Sequence, residues 1–303
     1  TAPAEVTAFI ISPLVLTGDA QARVENVRLV RLPLRARVPT VLHPYVRLGD
    51  LRLARGDAPA AALAYGRALA AEPTNNGALR GLDRALSQIG PAGLDATAAA
   101  AVRQSLEPAL DAMTVSLRAT PEDEDARQML AVAADLYLDA GGMLAGPNLI
   151  ASPGFAGRGW QVYNPERGAR YGTASSTSPS PERGGLIASD VPGYHGGYYQ
   201  YRKVEGGAVY LFAFSLRTED AKDLMVKVGN WDYEWEGGRV GVVAGPTLTG
   251  STPWTRYRFL AHIPSGVQGV SFYPVVFFHA GRIWLDEVRV VRLPARWEPP
   301  PPP

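Results

Sequence analysis

The chain has 303 residues, with 30 Lys+Arg against 29 Asp+Glu and no cysteine. That length suits two domains, and the balanced charge argues against bulk attraction to nucleic acid or to an acidic membrane. Without cysteine there is no disulfide framework, thiolate zinc site, iron–sulfur cluster, covalently held c-type haem or Cys nucleophile.

Composition shifts along the chain mark its organisation. Residues 1–36 read as strand. From Pro44 to Gly142 the sequence is rich in Ala and Leu at helical spacing, and from Pro147 to Pro294 it turns to Gly, Tyr, Trp and Val in alternating patterns. Residues 295–303 form a proline-rich tail. Gly (32) and Pro (26) lie well above their usual joint share of roughly 12%, which favours a turn-rich, partly all-β protein. Helices segregated from strands in this order imply separate domains rather than βαβ units. The expected fold class is therefore α+β and multidomain. Its parts are an N-terminal strand pair (1–36), a helical domain (41–145), an antiparallel sandwich (147–294) and the tail (295–303). No stretch is long and apolar enough to be a transmembrane span, since the run from Ala8 to Leu16 is broken by Ser12 and Pro13. The start at Thr1, without the pattern of a secretory signal, reads as a processed end or a cut inside something longer.

The helical part carries a repeat signature. Tyr45, Leu48, Gly49, Ala61, Tyr65, Ala68 and Pro73 fall at the spacing of the tetratricopeptide consensus, with Arg52 where that consensus has an aromatic. Gly49 and Ala61 sit where two antiparallel helices would cross closely, and Tyr45, Leu48 and Tyr65 would fill the space between them. Pro44 suits a first helical turn, Gly56 a helix end, and Thr120-Pro121-Glu122-Asp123 a further helix start running to Gly141. About five helices are expected. The segment thus resembles a tetratricopeptide-repeat domain, a kind of surface built to hold another protein's segment.

The second half resembles another family. Asn148-Leu149-Ile150, Pro153-Gly154-Phe155 and Trp160 are similar to the opening of carbohydrate-binding modules with the galactose-binding jelly-roll fold. Tyr198-Tyr199-Gln200-Tyr201, Glu205-Gly206-Gly207 and Tyr210 to Arg217 resemble that family's central strand pair. Thr252 to Tyr257 and Ile283 to Val290 resemble its closing strands. The resemblance spans 147–294 and implies an antiparallel sandwich, with Trp160, Trp254 and Trp284 at core positions. Family members hold a structural calcium with an acidic residue after the Phe of the first turn and an Asp in the last strand. Here Asp286 fits the latter and Ala156 replaces the former, so Asp286 is the only calcium ligand the resemblance offers. No other cofactor is implied.

Pro13 to Pro33 aligns without gaps to Pro274 to Pro294, ending in V-R-[LV]-V-R-L-P both times. Residues 8–33 therefore resemble the last two strands of a second sandwich. Two strands alone form no stable sheet, so they would complete a sheet supplied from elsewhere.

Sugar binding on such a fold needs aromatic planes beside polar groups. Two clusters qualify, one containing Tyr194 and Tyr199, the other Trp231, Tyr233 and Trp235. In the second, alternation would put the rings on one strand face and Asp232, Glu234 and Glu236 on the other. Both a ligand surface and a protein contact are compatible with these rings. There is no G-x-S-x-G, H-E-x-x-H, P-loop or G-x-G-x-x-G after a strand, and His43, His195, His262 and His279 lie in different elements, so no enzyme is expected. The resulting expectation is an extracytoplasmic scaffold, an accessory subunit docked peripherally on a larger membrane or envelope complex such as a respiratory or photosynthetic one. Its partners would be other protein chains, with no nucleic acid. The alternative is a cell-surface or periplasmic glycan-binding protein. Ordering a polyproline II tail needs a partner groove, so both termini are expected to lie against other chains.

Overall fold

A computed structural model describes residues 43–301, apart from 90–92, 156–158, 164–168, 175–183, 190–196, 234–238, 273–274 and 278–279; within strands it describes the backbone alone at 163, 169, 174, 223–233, 239–247, 275–277 and 280. The expected strand pair of residues 1–36 lies outside the described residues.

Among the described residues five helices come first: α1 (Pro44–Ala54), α2 (Ala58–Ala71), α3 (Asn76–Ile89), α4 (Ala96–Ala119) and α5 (Glu124–Asp139). Each boundary has a local cause. The side chains of Asp57, Asn75, Asp95 and Asp123 accept from the N–H groups of Ala60, Ala78, Ala98 and Ala126, satisfying donors that a first helical turn leaves open. Asp123, not Thr120, therefore starts α5. Thr120 instead closes α4, its N–H donating to the Ser116 carbonyl. Tyr65 is fully buried with its ring between Gly49 and Gly81, where an added Cβ would come within 2.5 and 2.2 Å of ring carbons. Tyr45 and Leu48, expected beside it, are instead 38% and 36% exposed, and the Tyr45 ring has the Arg67 guanidinium of α2 5.9 Å from its centre.

Nine strands follow among the described residues: β1 (Gln161–Tyr163), β2 (Ala169–Ala174), β3 (Gly184–Ser189), β4 (Gly197–Lys203), β5 (Val209–Tyr233), β6 (Arg239–His262), β7 (Val267–Phe272), β8 (Val275–Phe277) and β9 (Ala280–Arg292). All pairings are antiparallel. The long β5 serves two sheets. Its first half pairs with β9, which continues through β3 to β2, while its second half pairs with β7 and β8, with β4 and β1 beyond β7. Register shifts between Leu216 and Leu224, where β5 pairs with β6, let the strand bend from one layer to the other. The inner faces meet in an aromatic core, with Phe212 and Phe214 packed on Phe272 at 5.6 and 6.3 Å. The protein is thus α+β with an antiparallel β-sandwich.

The apolar run of β5 explains what the helices do. Tyr210, Phe212 and Phe214 point into the sandwich, whereas Val209, Leu211 and Ala213 join Val291 and Leu293 in a core shared with the helices. A strand buried on both faces has no polar alternation to show. At one end of this interface Asp135 of α5 is fully buried. It accepts from Arg256 Nε and Nη2 (2.9 and 3.0 Å), Arg258 Nε (2.8 Å) and Arg289 Nη1 (2.9 Å). Burial pushes its carboxyl up, but the three guanidiniums outweigh this and hold it well below the usual carboxylate range. Arg258 also reaches Asp83 of α3 at 2.7 Å.

The tail corrects an expectation. Residues 295–297 form a 3-10 turn rather than polyproline II, and Trp297 is buried among this chain's own helices. Its ring meets Tyr137 edge-on at 5.3 Å, its Nε1 donates to Asp111 at 2.7 Å, and Arg127 donates to the Pro300 carbonyl at 3.4 Å. Burial of one large aromatic supplies the free energy that orders the segment, so no groove on a partner is needed. The other end, residues 1–10, lies outside the described residues.

Candidate functional site

The sheet formed by β1, β4, β7 and the second half of β5 carries the most promising surface. Strand β4 alternates strictly: Tyr198 and Gln200 are buried, while Tyr199 is half-buried and Tyr201 is 42% exposed. Inside, Gln200 fixes the strand against the 148–155 segment, its amide donating to the Ala151 carbonyl (2.7 Å) and accepting from the Ala151 N–H (3.1 Å). Burial pushes the Tyr198 phenol up to about 12, and its hydroxyl donates to the Gly172 carbonyl. With the inward residues so anchored, the outward ones are committed to the other face.

Tyr201 lies across the neighbouring strand over Gly269. A Cβ added there would fall 2.0 Å from the Tyr201 hydroxyl and 2.4 Å from Cζ. Only glycine leaves room for a ring laid over the sheet in this way. The ladder then sets the polar surroundings, because partners on one rung share a face. Tyr201 pairs with Ser271, which pairs with Asn230; Lys203 pairs with Gly269, which pairs with Asp232. The rungs therefore place two tyrosines, Lys203 and the positions of Asn230 and Asp232 on one sheet face, with Ser271 buried between them at 5% exposure.

Of the residues singled out from the sequence, Tyr199 belongs to this face, on a rung with Gln161. Trp231 and Tyr233 lie in β5 on the rungs of Val270 and Val267, both buried in the sandwich core. Their intervening neighbour Asp232 is the one on the Tyr201 side. Tyr194 and Trp235 lie outside the described residues, as do Glu234 and Glu236. Tyr201 was missed, although the in-out pattern of 198–203 signals it.

Trp160, Trp254 and Trp284, expected in the core, are each only half-buried. Trp284 falls between the buried Ile283 and Leu285, so alternation turns it outward beneath the Arg217 guanidinium, 4.8 Å from the ring centre. Trp160 stacks on Phe155 at 4.3 Å, gives its Nε1 hydrogen to the Ser152 carbonyl, and lines a recess of about 330 Å³ with Tyr171 and Tyr198.

For a hard cation the donor set does not fit. Asp286 is fully buried and its Oδ1 accepts from the Glu287 N–H at 2.8 Å. Among the described residues no group of three His, Asp or Glu side chains is placed to hold a metal ion. His43 and His262 lie in separate elements, and His195 and His279 are outside the described residues.

No protein-family model matches the chain, and no curated protein matches it. Several solved structures are similar over the sandwich half. The CBM22-1 xylan-binding domain from Paenibacillus barcinonensis Xyn10C has 12% identity and a TM-score of 0.39, covering 51% of this chain and 99% of that one. A carbohydrate-binding module, TmCBM61, in complex with β-1,4-galactotriose has 18% identity and a TM-score of 0.36, covering 48% and 99%. A bacteriophage CBA120 tailspike domain has 12% identity and a TM-score of 0.39, covering 48% of this chain and only 21% of its own. The CBM22-1–GH10 modules of Clostridium thermocellum Xyn10B are likewise matched over 29% of their length.

Proposed function

We propose that this chain is a non-catalytic, extracytoplasmic glycan-binding protein that holds a saccharide across the outer face of the β1-β4-β7-β5 sheet. The observation that carries the reading is Tyr201, laid over Gly269 with its ring open to solvent beside Tyr199. A pyranose ring has one face of C–H groups that stacks on such a plane and a rim of hydroxyls that needs donors and acceptors. The Tyr201 hydroxyl and the exposed Lys203, the next outward residue of β4, offer them. Binding of this kind needs no reacting group. Xylan and β-1,4-galactotriose, each associated with one of the similar modules, are sensible first probes. Retention of the full chain on immobilised polysaccharides tests the reading. Tyr201→Ala is expected to weaken it about tenfold or more with an unchanged unfolding curve. Equal retention of wild type and variant on every polysaccharide, or no retention at all, would overturn it.

One observation favours a second reading, the accessory subunit of a membrane or envelope complex. Tyr45, Leu48 and Leu51 form an exposed apolar strip on α1, at 38%, 36% and 48% exposure, on a helix pair of tetratricopeptide-like spacing. No described helix is long and apolar enough to cross a membrane. Co-purification with membrane proteins that is lost on Leu48→Glu and kept on Tyr201→Ala would favour it.

A further inference from the structure

A cleft of about 520 Å³ lies where the ends of α3 and α5 approach β5, β6 and β9. Its helical wall is apolar, with Leu86, Ile89, Leu94 and Leu138, while its sheet wall carries Arg256, Arg289, Glu287 and Ser215, with Trp254 completing the lining. The volume falls within the range of small-molecule sites, roughly 300–1,000 Å³, and the division into an apolar and a polar wall is typical of them.

Glu287 is built into this cleft at a cost. Its φ is +51°, a left-handed conformation that disfavours any residue but glycine. The cause is a bulge: Ala213 pairs with Arg289 and Ser215 with Asp286, so Glu287 and Val288 together oppose Phe214 alone. The bulge is held from all sides. Asp286 accepts from the Glu287 N–H, Arg256 Nη1 donates to the Glu287 carbonyl at 2.7 Å, and Val288 donates to the Pro153 carbonyl. Ser215 then donates its hydroxyl to Glu287 Oε2 at 2.9 Å, fixing a carboxylate whose side chain is still 34% exposed. Strain of this kind, locked by its surroundings, is a mark of functional positions.

The charges select the ligand. Three guanidiniums (Arg256, Arg258, Arg289) meet four carboxylates (Asp83, Asp135, Asp139, Glu287) within this network, so neither a free anion nor a free cation finds an uncompensated field. Burial and the neighbouring Asp135 charge push the Asp139 carboxyl up, against the pull of Arg289. A neutral ligand remains, one with alternating donors and acceptors for Glu287, Arg289 and Asp139 and an apolar side for the leucines and Trp254. We propose that this interlayer cleft is a second ligand site, taking a neutral sugar of one or two rings. It shares a ligand class with the outer-face reading and none of its residues, so either can fail alone.

The test is a calorimetric titration of the full chain with glucose, galactose, xylose, N-acetylglucosamine and β-1,4-linked disaccharides, with inorganic phosphate as the ionic control. Saturable binding of at least one neutral sugar is expected. Ser87→Trp, an exposed position on α3 at the cleft, should weaken it about tenfold or more, and Glu287→Gly should do the same while leaving the folded fraction intact. Tyr201→Ala should leave it unchanged. The proposal is overturned by no saturable binding of any neutral sugar, by equal binding in Ser87→Trp, by loss in Tyr201→Ala instead, or by tighter binding of phosphate. A disaccharide as tight as the corresponding polysaccharide indicates a free small sugar as ligand. A tighter polysaccharide indicates the end of a chain.

Discussion

The sandwich has two outward faces, and their fates differ. On the sheet containing β9 and the first half of β5, the outward residues are Val209, Leu211, Ala213 and Val291, and all are buried beneath the helices. On the opposite sheet the outward residues of β4 are Tyr199, Tyr201 and Lys203, and nothing among the described residues covers Tyr201. Aliphatic side chains gain about 1.5–3 kcal/mol each from leaving water, so the first face holds a cover in place. A tyrosine is amphipathic and can stay at the surface, ready to trade water for a ligand. The helical layer thus belongs to the fold of one sheet, while the other sheet keeps an exposed tyrosine on its outer face.

The largest effect should come from the charge lock at the covered face. Asp135→Ala would leave three guanidiniums without their shared partner, a loss of about 3–5 kcal/mol in a urea titration. Protonation should act in the same direction. The folded-state carboxyl titrates below its unfolded value, so its contribution is complete above about pH 4 and is lost as pH falls from there toward the folded value. An acid limb equally steep in Asp135→Ala and wild type would remove Asp135 as the origin of that sensitivity.

Truncations on the two faces sharpen the contrast. Leu211→Ala, under the helices, should cost about 2–4 kcal/mol. Residues 147–294 expressed alone would expose that same apolar face, so they should associate unless the helices are supplied. On the open face, Tyr201→Ala should change stability by less than about 0.5 kcal/mol. Similar losses for Leu211→Ala and Tyr201→Ala would dissolve the distinction between the faces.

Much of this architecture is legible in the sequence. Asn148 opens a recognisable Asn-Leu-Ile segment, and its role is physical: its side chain accepts from the Ile150 and Val290 N–H groups and donates to the Val288 carbonyl, tying the first segment to the last strand. The helix start at Thr120-Pro121-Glu122-Asp123 was equally readable, with Asp123 as the residue that caps α5. Other features depend on long-range pairing and leave no local trace. Nothing near Asp135 announces three arginines more than a hundred residues away. The rungs that join Asp232 to Gly269, and the bulge that strains Glu287, follow from register alone. Trp297 was misread because a proline-rich context suggests extension, whereas its indole finds Tyr137 and Asp111 within the same chain.

The central claim, that the uncovered sheet face is where a glycan sits, can be tested by nitration with tetranitromethane followed by peptide mapping. Tyr201 (42% exposed) and Tyr45 on α1 (38% exposed) should both react, with Tyr45 serving as an internal control far from the proposed surface. A saturating retained polysaccharide should protect Tyr201 and leave Tyr45 as reactive as before. Unchanged nitration of Tyr201 under saturation, or protection of Tyr45 in its place, would contradict the account.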